Sequence, residues 1–125
     1  MKLSKLVDPQ FQNALRKLAA QDVPMKANKQ LRNIMKQVNA ALAEYDAVRT
    51  EALTRYGDKN EAGELIVDEG KSVKLSEDNG QQFVKELTEL LNDDIEISTL
   101  KVADLGDKPT MSTAELMLLE DILLD

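Results

Sequence analysis

Residues 58–70, DKNEAGELIVDEG, decide how the rest of the chain is read. One reading is a calcium loop between two helices. Asp58 is then the first ligand, Asn60 fills the third position, Gly63 makes the turn at the sixth and Glu69 is the bidentate twelfth. Ala62 stands where the fifth position needs an oxygen, and Gly70 follows where the outgoing helix should continue. The other reading is a pair of short strands. ELIV (64–67) is apolar and rich in branched residues, KSVKL (71–75) alternates, and VDEGKSV (67–73) between them has turn chemistry with its glycine where a hairpin wants it. The strand reading accounts for every residue, whereas the calcium reading leaves Ala62 and Gly70 unexplained. A β-hairpin is expected and bound calcium is not.

Upstream of this stretch, residues 25–56 contain neither Gly nor Pro. Leu31, Ile34, Val38, Ala41, Tyr45, Val48 and Ala52 recur at alternating spacings of three and four, a helical seam widened by Met35, Leu42 and Leu53. A helix of about 30 residues is roughly 45 Å long at 1.5 Å per residue. It must project or lie along another helix, and Gly57 stops it. Residues 1–24 form an N-terminal helical segment whose helix starts at Asp8-Pro9, with Asp as N-cap and Pro at the first helical position. Phe11, Ala14, Leu15 and Leu18 give its apolar face, and Pro24 ends the segment.

Downstream, Ser76 caps a helix over 76–92 whose first turn carries Glu77 and Asp78, favoured there by the helix dipole. Phe83, Val84, Leu87, Leu90 and Leu91 form its apolar face. Residues 93–111 read as a short strand, DDIEIS, followed by a loop punctuated by Gly106 and Pro109. STAE (112–115) is a capping box that opens a C-terminal helix over 112–125. The expected fold is mostly α (α+β) in a single domain, 1–125. It is an antiparallel long helical hairpin with a β-hairpin at the connection, plus short N- and C-terminal helices.

Composition narrows the chemistry. Cys, His and Trp are absent, which removes thiolate nucleophiles, Cys or His zinc sites, disulfides and imidazole-based triads. Phe11, Tyr45, Tyr56 and Phe83 are the whole aromatic complement, so the core must be aliphatic. The net charge of −7 is uneven: residues 1–56 hold ten Lys or Arg against five Asp or Glu, and residues 57–125 hold six against eighteen. A basic half followed by an acidic half can close on itself or pair with another copy. No stretch has the roughly 18 apolar residues that a membrane span requires, and MKLSKLVDPQ lacks a signal-peptide apolar run. A soluble, unexported protein is expected.

Two clusters invite a catalytic or nucleic-acid reading and are better explained otherwise. Asp93, Asp94 and Glu96 could hold Mg²⁺, but no phosphate cradle lies nearby and strand alternation makes them a polar edge. Lys26, Lys29, Arg32 and Lys36 fall on one helical face opposite Leu31, Ile34 and Val38. A phosphate-contacting stripe would look like this, yet no aromatic interleaves the charges and the chain is acidic. Docking to an acidic protein surface fits better. In the C-terminal segment, Leu116, Leu119, Ile122 and Leu123 supply one apolar side, while Met117, Leu118 and Leu124 lie off it. A helix that is apolar on more than one side is buried on more than one side. Leu116, Met117, Leu118 and Leu124, with the four basic residues, are therefore the partner-binding candidates. No catalytic residue, metal site or cofactor is expected.

Taken together, MKLSKLV, EYDAVRTEALTRYGDKNEAGELIVDEG, FVKELTELLNDDIEI and DLGDKPTMSTAELMLLEDIL resemble small proteins of tailed-phage and prophage genomes described only as proteins of unknown function. The resemblance spans nearly the whole chain, and its motifs are structural. It implies a setting, the bacterial host cytoplasm or the virion, rather than a reaction. Two functions follow as expectations: a non-enzymatic virion component or assembly accessory working through protein contacts, or a small acidic inhibitor of a host enzyme or defence system. A carboxylate-based magnesium enzyme is the weaker third. The partner is a phage or host protein or another copy of the chain; membrane and nucleic acid are not expected.

Overall fold

In the computed structural model, which describes residues 1–67, 73–106 and 110–124, most of the chain is helical. Five α-helices occur among the described residues: α1 (Leu3–Leu6), α2 (Pro9–Ala19), α3 (Met25–Tyr56), α4 (Glu77–Leu91) and α5 (Thr113–Leu118). Two short strands, β1 (Leu100–Lys101) and β2 (Leu123–Leu124), pair in parallel, and a 3₁₀ turn covers Val102–Leu105. The chain divides into two compact units. One is Met1–Leu42 with Asp94–Asp125, and the other is Ala43–Asp93, so the boundary falls within α3.

The first unit holds an aliphatic core with one aromatic. Leu6, Phe11, Leu15, Leu18, Ile34, Leu100, Leu105, Leu119 and Ile122 are fully buried there. Each such side chain contributes roughly 1.5–3 kcal/mol of burial free energy. Asp8 caps α2 as expected, its Oδ1 accepting the Gln10 N–H at 2.9 Å with Pro9 in the first turn. The N-terminal segment 1–24 is not one helix, however. The residue before a proline is pushed out of the helical region, and Asp8 is extended at φ −66°, ψ 122°. Leu3–Leu6 thus forms its own turn, with Leu3 and Leu6 buried. Chain segments distant in sequence are tied by backbone bonds: Ile95 N–H donates to Met1 O at 2.7 Å, and Leu100 N–H donates to Ile122 O at 2.7 Å.

The C-terminal segment departs from the expected continuous helix over 112–125. α5 ends at Leu118, where Leu119 N–H bonds back to Leu116 O and Glu120 N–H to Met117 O, a tightened last turn. The chain then extends, and Leu123 and Leu124 pair with Leu100 and Lys101. Burying Leu119 and Ile122 in the core while pairing one edge of β1 outweighs further helical turns. The loop reading of 100–105 is likewise replaced by β1 and the 3₁₀ turn.

The second unit contains the C-terminal part of α3, the connection and α4. Among the described residues of the connection, antiparallel pairing takes the form of isolated bridges, Lys59↔Leu65 and Val67↔Val73. The hairpin turn expected at 68–72, with Glu69 and Gly70, lies outside the described residues, as does Pro109. A tighter turn, not anticipated, reverses the chain at Asn60–Gly63. Asn60 Oδ1 accepts the N–H groups of Ala62 and Glu64 at 2.9 and 3.0 Å, and Gly63 adopts φ +81°. Phe83 is the one apolar side chain of this unit that is buried among the described residues.

Candidate functional site

The residues nominated from sequence fall into separate places within the first unit. Lys26, Lys29, Arg32 and Lys36 are exposed and line a shallow depression of about 690 Å³ whose walls are all α3 residues. None of the four is in an ion pair among the described residues. Met117 is 62% exposed and Leu124 46%, whereas Leu116 and Leu118 are half-buried. The structure does not gather these two sets into one lining. The C-terminal segment is not a detachable element either, because Leu119 and Ile122 lie between its nominated residues and are fully buried.

That segment is instead anchored through charge. The expected capping box is present: Glu115 N–H donates to Ser112 Oγ at 3.1 Å, and Ser112 N–H donates to Glu115 Oε1 at 3.0 Å. The same carboxylate oxygen accepts from Lys17 Nζ on α2 at 2.9 Å. The Ser112 N–H first, and then Lys17, hold the Glu115 carboxyl down to about 2. Lys5 contacts Asp121 and, at 3.3 Å, Glu120. The hydrogen bond that Lys5 Nζ donates to the Asp121 carboxylate raises the Lys5 pKa above its ordinary value, and Glu120 adds to it.

In the second unit, two of the oxygens that the calcium reading assigns as ligands accept backbone amides. Asp58 Oδ1 accepts the Ser76 N–H at 3.1 Å, and Asn60 Oδ1 serves the two turn amides. Among the described residues no group of Asp and Glu is clustered for metal binding. Asp94, of the carboxylate trio, lies in an isolated antiparallel bridge with Lys2.

One concave feature was not nominated from sequence. A groove of about 790 Å³ lies wholly within the second unit. Its floor is apolar, with Val48 and Ala52 from α3 and Phe83, Leu87 and Leu90 from α4. Its walls differ in charge. Arg49, Arg55 and Lys59 stand on the α3 side with Glu51, and Glu86, Glu89 and Asp93 stand on the α4 side. Arg55 Nη2 reaches Glu86 Oε2 at 3.1 Å and also stacks 5.0 Å from the Tyr56 ring centroid. Sequence reasoning assigned these apolar residues to internal helix pairing. The available signal was the length of the α3 seam, which runs on through Val48, yet Val48 is 40% exposed.

Comparison with protein-family models, with characterised proteins and with solved structures finds no match for this chain. No helix among the described residues is long and apolar enough to cross a membrane.

Proposed function

We propose that the protein acts without catalysis, through contacts with other protein chains, as a phage-encoded virion component or assembly accessory. The observation that carries this reading is the apolar groove of the second unit, exposed at Val48 and half-buried at Ala52, Leu87 and Leu90, with charged residues of both signs around it. Exposed apolar patches rimmed by polar groups mark protein interfaces. In this reading the C-terminal part of α3 and α4 run antiparallel as a helical hairpin, with a β-hairpin at their connection. The Arg55–Glu86 pair and the Val67↔Val73 bridge favour that arrangement. The working compartment is then the bacterial host cytoplasm or the assembled particle.

Mass spectrometry of purified particles from cells expressing the gene tests the reading. A fixed stoichiometry to the major particle proteins is the expected outcome, and absence from particles and assembly intermediates contradicts it. Absence would favour the second reading, a small acidic inhibitor of a host enzyme or defence system. The exposed carboxylates of Glu77, Asp78, Glu89, Asp93, Asp94 and Glu96 speak for that alternative.

A further inference from the structure

The groove between the α3 and α4 side chains of the second unit carries a more specific inference. A unit of this size cannot stabilise itself on a core built around a single ring, since small domains are already marginal when well packed. Phe83 is its one buried apolar side chain among the described residues, while in the groove Val48 is 40% exposed and Ala52, Leu87 and Leu90 are half-buried. An apolar face left this open favours a covering partner, and the charge of its walls restricts what that can be. A uniformly acidic partner meets Glu86, Glu89 and Asp93, and a uniformly basic one meets Arg49, Arg55 and Lys59. A partner must therefore be acidic along one side and basic along the other, with an apolar strip between. A second copy of the groove, turned about a two-fold axis, has that pattern by construction.

We propose that the groove is closed by the same groove of a second copy of the chain. The basic wall of each copy then lies against the acidic wall of the other, and the Val48, Ala52, Leu87 and Leu90 strips pack together. This rests on the reading that the protein works by contact, and it fails separately from it. A monomeric chain that is nonetheless a stoichiometric particle component removes the dimer and keeps that reading. A dimer absent from particles does the reverse.

Sedimentation of the full chain between about 1 and 100 µM tests it, because self-association follows mass action. The wild type should pass from monomer to dimer in that range. Arg49→Glu with Lys59→Glu makes both walls acidic, and Glu89→Lys with Asp93→Lys makes both basic; the Arg55–Glu86 pair stays intact. Each variant alone should self-associate about tenfold more weakly or worse, and an equimolar mixture should recover a heterodimer, since opposed charge sets partner choice. A folding defect gives no such recovery. Val48→Glu, at a side chain already exposed, should weaken the dimer with an unchanged far-ultraviolet circular dichroism spectrum. A wild type that stays monomeric at the upper concentration overturns the proposal. So does a mixture no stronger than its components, or a Val48→Glu chain that dimerises like wild type.

Discussion

The α3 seam passes through two surroundings. Ala27, Leu31, Ile34 and Val38 are buried in the first unit, which also holds α1, α2, β1 and the C-terminal segment. From Ala43 onward the same spacing continues, but Tyr45 and Ala52 are half-buried and Val48 is exposed. Periodicity alone is identical in the two halves. What differs is the supply of covering residues. The first unit brings α1, α2, β1 and the C-terminal segment together with the first half, whereas the second unit holds α4 and the short connection. Burial is thus a property of what the rest of the chain delivers.

The sharpest way to break this contrast is to place a charge in the covered half. Ile34→Asp or Val38→Asp puts an unpaired carboxylate among fully buried aliphatics. That costs several kcal/mol against a typical total of about 5–15, so the thermal melt should be lost or displaced far downward. Lys29→Asp, on the exposed face, should shift it by no more than about 0.5 kcal/mol. Reversed ranking would place the buried face on the wrong side of α3.

A smaller effect is expected from Gly57→Ala in the second unit. An added Cβ there would lie 2.6 Å from Leu65 Cδ2, 2.7 Å from Val73 Cγ1 and 2.7 Å from the Leu53 carbonyl. Side chains can shift but the helical carbonyl cannot, so about 1–3 kcal/mol of overpacking is expected. Limited proteolysis should then cut within 43–93 earlier than in wild type and leave the first unit's fragments as resistant as before. Equal sensitisation of both units would mean that their stabilities are not separable.

Smaller again is the cap of α5. Ser112→Ala should cost about 0.5–2 kcal/mol. The linked pH effect has a definite sign. Glu115 is depressed from 4.5 to about 2 in the folded chain, so its contribution is complete above pH 4.5 and is lost as pH falls from there toward 2. Acid titration of Glu115→Gln should show a shallower loss over that window than wild type; parallel curves would remove the Ser112–Glu115–Lys17 arrangement from the stability of the first unit. At the bottom of the scale, calorimetry with sub-millimolar calcium should give no saturable heat, because Asp58 and Asn60 already serve backbone amides. A stoichiometric isotherm abolished by Glu69→Gln would restore the calcium loop.

The elements legible in the sequence were those carrying their own local chemistry. Asp8-Pro9 starts a helix, STAE caps one, and a stretch free of Gly and Pro runs unbroken from Met25 to Tyr56. Pairing decided by distant segments was not legible. ELMLLEDILLD reads as one continuous helix, and the docking of Leu123 and Leu124 on Leu100 and Lys101 is what ends it in a strand. Strands two residues long have no periodicity to detect. The same limit explains the candidate site. The Leu-rich C-terminus looked like surplus, but its surplus is partly core, while Val48, Leu87 and Leu90 looked like core and line an open groove.

Hydrogen exchange read by mass spectrometry at two protein concentrations, about 1 and 100 µM, tests the contrast most directly, since association protects only what it covers. Amides of α2 and the Ala27–Val38 part of α3 should be strongly protected and indifferent to concentration. Those of α4 and the α3 turns around Val48 should exchange faster in the dilute sample and slow as the protein is concentrated. Equal, concentration-independent protection in both units would contradict the account, since the second unit would then need no cover beyond its own chain.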